Sequence, residues 1–121
     1  MPSAFTHLLA DFAGVPAAQL TDRALVSGLV VAAAGAAGLS AIAHAGPAGL
    51  DGPVVRTLPS GGIAAALLLG GCHIVVHTRP DEGVLLLDVL APSSGDPRKA
   101  AEVFARRLAA GAVHAELHPR G

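Results

Sequence analysis

Three short apolar runs, residues 63–69, 73–78 and 84–90, follow one another closely, and they constrain the fold more than any other feature of the chain. Each is six or seven residues rich in aliphatic side chains, with Gly or Pro within two residues of either end, the pattern of buried strands. Gly70-Gly71 between the first two reads as a hairpin-type turn. The third run contains VLLLDVL and is almost wholly apolar. Such a run suits a strand buried on both faces or at an interface.

The remaining segments fall around this unit. Residues 7–13 read as a strand ended by Gly14 and Pro16. Thr21 or Asp22 caps a helix running to about Ala37, with Gly38 as its stop. Residues 39–45 read as another strand. The stretch GPAGLDGPVVRTLPSGG is too rich in breakers for regular structure except around residues 54–57. Asp96-Pro97 opens a second helix, a cap residue followed by proline at the first helical position. Its apolar stripe is Ala100, Val103, Phe104 and Leu108, with Arg98, Lys99, Glu102, Arg106 and Arg107 toward water. Gly111 ends it, and residues 112–117 form a last edge strand. The order predicts a single α+β domain over residues 1–121, a two-layer sandwich of a mainly antiparallel sheet with two helices packed on one face.

Composition removes several function classes. With 52% apolar and 14% charged residues, the chain is no disordered polypeptide. A formal net charge of -1 with no basic run excludes a phosphate-neutralising surface, so no nucleic-acid partner is expected. The single cysteine, Cys72, makes no internal disulfide and is too little for a thiolate zinc site, which suits a reducing compartment. The mean hydropathy of +0.58 raises the question of a membrane. Residues 24–43 are uncharged but mostly Ala, Gly and Ser, break at Gly38, and lack flanking Lys/Arg clusters and Trp or Tyr anchors. The start, MPSAFTHLL, has no basic n-region. A soluble, cytoplasmic protein without a membrane partner is expected.

Polar chemistry is concentrated in GGCHIVVHTRPDEG, residues 70–83. His73 and His77 are four apart on a strand and so face the same way. Three readings stay open from the residues alone. In the first, Cys72 is a small buried hydrophobe and the histidines are ordinary surface or core groups. In the second, His73, His77 and the carboxylate of Asp81 hold a metal. In the third, Cys72 is a nucleophile on a glycine-flanked turn with His77 as its base.

The segments HLLADFAG, LPSGGIAA, GCHIVVHTRPDEG and LLLDVLAP, followed by the second helix, resemble the small bacterial and archaeal S-adenosylmethionine decarboxylases. In that family the corresponding patterns read H-L-L-A-E-F-x-G, S-P-x-G-V-S-G, E-S-H-L-x-I-H-T-W-P-E and D-x-F-T-C-G, and order, gaps and length agree. The resemblance implies a two-layer sandwich that pairs as a homodimer with active sites near the interface. It implies a proenzyme in which the residue after the scissile bond attacks the preceding carbonyl. The chain is cut by β-elimination, and a pyruvoyl group remains as the catalytic carbonyl for decarboxylating S-adenosylmethionine in polyamine (spermidine) biosynthesis. Carried onto this chain, Gly71 holds the cleaved carbonyl, Cys72 is processing nucleophile and pyruvoyl precursor, and His77 is the processing base. Asp81 stands at the family Glu. Leu58 and Ala64 stand at substrate-binding positions. No metal ligand is implied.

The chain departs from the family pattern at those positions. Cys72 replaces Ser and Gly71 replaces Glu; a thiol makes the same acyl shift through a thioester. The family Cys that donates a proton during decarboxylation becomes Pro92, which has none to give. Ala64 replaces a Ser, Arg79 a Trp, and Leu58 an aromatic residue that sandwiches adenine. The expectations are therefore a decarboxylase of S-adenosylmethionine or of another amino acid, cut between residues 71 and 72. Set against them is a degenerate homologue acting as a binding or regulatory partner. The cleavage reading requires the Cys72 thiol to have the His77 imidazole within reach.

Overall fold

A computed structural model describes residues 3–39 and 52–121. Six strands form one sheet: β1 (Phe5–Ala13), β2 (Val54–Thr57), β3 (Ile63–Leu69), β4 (Cys72–Arg79), β5 (Val84–Pro92) and β6 (Ala112–Arg120). Their order across the sheet is β2-β3-β4-β5-β1-β6, every neighbouring pair antiparallel. Among the described residues there are also helices α1 (Ala17–Leu20), α2 (Arg23–Ala36) and α3 (Pro97–Arg107), α2 and α3 packing together on one sheet face.

The α+β two-layer architecture expected from the sequence is the observed one. Asp22 caps α2 by accepting from the Leu25 N–H at 3.0 Å, and Asp96 accepts from the Arg98 N–H at the start of α3. Gly38 follows α2 at φ 78°, a conformation open to glycine without strain. The β3–β4 turn is two residues long, with Leu69 opposite Cys72 and Gly70 at φ 68°. One-turn α1 was not expected, since four residues carry no periodicity. Strand β6 runs three residues past the expected end. Of the strand expected at residues 39–45, Leu39 is irregular and buried, and the others lie outside the described residues.

The core lies between the helices and one face of the sheet. Leu8 and Phe12 of β1, Ile74 and Val76 of β4, and Leu85, Leu87 and Val89 of β5 meet Val26, Leu29, Val30 and Ala33 of α2 and Phe104 of α3. The Phe12 and Phe104 rings stand 6.1 Å apart between centroids. Burying each Val, Leu or Ile side chain of this set contributes about 1.5–3 kcal/mol against leaving it in water. The apolar run of β5 is buried on one face only: Leu86 is 39% exposed, and Asp88 and Leu90 are half-buried. That corrects the expectation of burial on both faces within the chain. Among the described residues nothing covers the sheet face opposite the helices, and the side chains of that open face build the site.

Candidate active site

Strand alternation decides which side chains of β4 reach the open face. Ile74, Val76 and Thr78 point to the helices, so His73, Val75, His77 and Arg79 point away from them. His77 lines a groove of about 400 Å³ with Leu58, Ser60, Thr78, Arg79, Asp81 and Leu86. Ala64 is the direct cross-strand partner of His77 and therefore its neighbour on the same face. Four of the expected site residues, Leu58, Ala64, His77 and Asp81, are thus brought together. Their groove offers a guanidinium, a carboxylate, an imidazole and two leucine side chains, a set able to hold a zwitterionic ligand with an apolar part. Arg79 also pairs with Glu82 at 2.7 Å on the exposed rim.

A buried clasp holds this end of the sheet. The Thr78 hydroxyl, 1% exposed, accepts from the Ile63 N–H at 2.8 Å and donates to the Leu20 carbonyl at 2.7 Å. One side chain therefore ties β3, β4 and α1 together directly beside His77. Gly62 completes the contact, because a Cβ there would stand 2.7 Å from the Thr78 carbonyl oxygen.

Gly71 and Cys72 lie at the other end of β4. Gly71 is exposed in the turn, whereas Cys72 is the first residue of the strand and faces the helices, 5% exposed. Burial pushes its thiol above the ordinary value of 9.0. His77 is five residues on, about 16 Å along the strand and on the opposite face. The expected reach of His77 to the Cys72 thiol is absent within one chain. Pro92, ending β5, lies at the Cys72 end as well, since His73 is opposite Leu90.

The metal set weighed from spacing does not converge either. His73 and His77 share a face but stand roughly 13 Å apart along β4. His73 Nε2 instead lies 3.0 Å from Asp88 Oδ1, and the same oxygen lies 2.7 Å from His7 Nε2. His7 and Asp88 were not among the expected site residues. The one charged residue within VLLLDVL was the signal that could have found them.

Comparison with known proteins follows the same lines. The crystal structure of the adenosylmethionine decarboxylase from Aquifex aeolicus VF5 superposes with a TM-score of 0.80 at 26% identity, over 100% of this chain and 93% of that one. A search of curated proteins finds no match. The sequence model of the S-adenosylmethionine decarboxylase family matches residues 6–121. The open antiparallel sheet, its helical layer and this match over nearly the whole length make the chain a member of the S-adenosylmethionine decarboxylase family.

Proposed function

We propose that the protein is a self-cleaving, pyruvoyl-type amino-acid decarboxylase whose active site is divided between the two copies of a homodimer. Gly71 and Cys72 come from one copy, and Leu58, Ala64, His77 and Asp81 come from the other. The observation that carries this reading is the division itself: the two sets of family positions occupy opposite ends of one sheet. In a two-fold dimer the same surface patch serves both partners, so residue i of one copy meets residue j of the other and the reverse. Two open faces laid together in opposite sense would bring each Gly71–Cys72 turn toward the partner's groove. Leu9, Leu68 and Leu86, exposed on that face, supply apolar contact.

Family members generally depend on a pyruvoyl group, which supplies an electron-withdrawing carbonyl to the substrate amine. The residues at the turn fit its formation. The thiol of Cys72 is adjacent in the chain to the Gly71 carbonyl, Gly71 is exposed, and nothing lies within 4 Å of where its Cβ would be. Arg79 suits a substrate carboxylate and Asp81 a substrate ammonium or sulfonium. Leu58 and Leu86 give an apolar wall without a stacking ring. S-adenosylmethionine is the substrate the family points to, with spermidine biosynthesis in the cytoplasm as its setting. The missing aromatic favours a smaller amino acid as the alternative.

Two observations favour a second reading, an uncut homologue serving as a binding or regulatory partner: the Cys72 sulfur is buried, and Pro92 has no proton to transfer. Intact-mass spectrometry with a carbon dioxide release assay separates the two. The proposal expects fragments 1–71 and 72–121 and release from S-adenosylmethionine or a smaller amino acid. A single mass of 11.9 kDa with no release overturns it.

A further inference from the structure

His7, His73 and Asp88 come from three adjacent strands, β1, β4 and β5, on the open face. Both histidines are register partners of Leu90, one on either side of β5, and Asp88 lies two residues along from it. Rigid sheet pairing therefore fixes all three backbones. The side chains are 19%, 31% and 36% exposed in the order His7, His73, Asp88, and the imidazole rings stand edge to face with centroids 6.5 Å apart. A carboxylate oxygen only accepts hydrogen bonds, so both Nε2 atoms at 2.7 and 3.0 Å from the one Oδ1 carry their protons there.

We propose that His7 Nε2, His73 Nε2 and Asp88 Oδ1 form a binding site for a divalent ion of the zinc class. One ligand atom from each residue lies within 4.8 Å of the others. Tetrahedral zinc with bonds of about 2.0–2.1 Å needs ligand atoms about 3.3 Å apart, so side-chain adjustments of a few tenths of an ångström to at most about 1.5 Å bring the three into place. The ion takes the place of the two N–H groups that now converge on Asp88, so on binding each imidazole presents the Nε2 lone pair and holds its N–H at Nδ1. Two imidazoles and one carboxylate select zinc-class ions over magnesium or calcium, which take oxygen ligands. Open positions fall to water or to His118, the exposed register partner of His7 on β6.

The test is titration of chelator-stripped, full-length protein with Co²⁺ followed by its visible absorption, then displacement by Zn²⁺, with Mg²⁺ in parallel. The site predicts one equivalent per chain, a low-coordinate Co²⁺ spectrum, loss of that spectrum on adding Zn²⁺, and no response to Mg²⁺. His7→Ala and Asp88→Asn each weaken binding at least tenfold. His114→Ala, removing an exposed histidine of the same face, leaves it unchanged. Circular dichroism establishes that each variant is folded, and His73→Gln serves if either of the first two is not. Absence of saturable Co²⁺ binding by the wild-type chain overturns the proposal. So does binding that persists in the folded His7 or Asp88 variants, or that is lost in His114→Ala.

Discussion

Replacing Thr78 by valine keeps the shape of the side chain and removes its hydroxyl, so it isolates the clasp that holds the groove. The Ile63 N–H and the Leu20 carbonyl would each lose a partner at a buried site. A buried polar group left without a hydrogen bond costs about 1–3 kcal/mol, so the pair costs about 2–6 kcal/mol. In a domain of this size that lowers the melting temperature by roughly 10 °C or more. Thr78→Ser keeps both hydrogen bonds and gives up one buried methyl, a loss of about 1 kcal/mol. Urea unfolding monitored by circular dichroism should therefore rank wild type above Thr78→Ser and Thr78→Ser above Thr78→Val. If serine costs as much as valine, methyl packing and not hydrogen bonding holds this corner, and the reasoning is refuted.

Three further predictions concern the ends of the same hairpin. In the uncut His77→Ala variant, which keeps the thiol, Cys72 should alkylate far more slowly folded than in urea, because its sulfur is buried and its thiolate disfavoured; equal rates would contradict the burial. Its raised thiol value also carries a sign: the folded state holds the proton more tightly than the unfolded one. That contribution to stability is complete below the ordinary value of 9.0 and is lost as pH rises through the raised value, so in the uncut His77→Ala background Cys72→Ala should lose less stability with rising pH than its parent. Gly62→Ala should destabilise by about 1–3 kcal/mol, because its Cβ meets a backbone oxygen at 2.7 Å that cannot swing aside; an unchanged urea midpoint would show that β4 shifts freely.

Legibility differed between fold and site for physical reasons. The β3–β4 hairpin was readable because two glycines between aliphatic runs allow few alternatives, and Gly70 does adopt positive φ. Both long helices announced themselves through their caps at Asp22 and Asp96. The insertion of β1 between β5 and β6 left no local trace, since strand order is decided by long-range pairing. At the site, the sequence predicts a strand from His73, which leaves Cys72 in the turn and free to face either way. Once Cys72 belongs to β4, an odd spacing of five sets it and His77 on opposite faces. The His7–His73–Asp88 cluster needed the register of three strands, which no spacing along one strand supplies.

The division of the active site between two copies is tested most directly by mixing two inactive variants. His77→Ala keeps the thiol and lacks the imidazole, and Cys72→Ala has the reverse defect. Each alone should stay whole. Co-expressed with distinguishable tags, they should form mixed dimers in which the His77→Ala chain, and only that chain, is cut after Gly71. Mixed dimers in which the His77→Ala chain keeps its full mass would contradict the account.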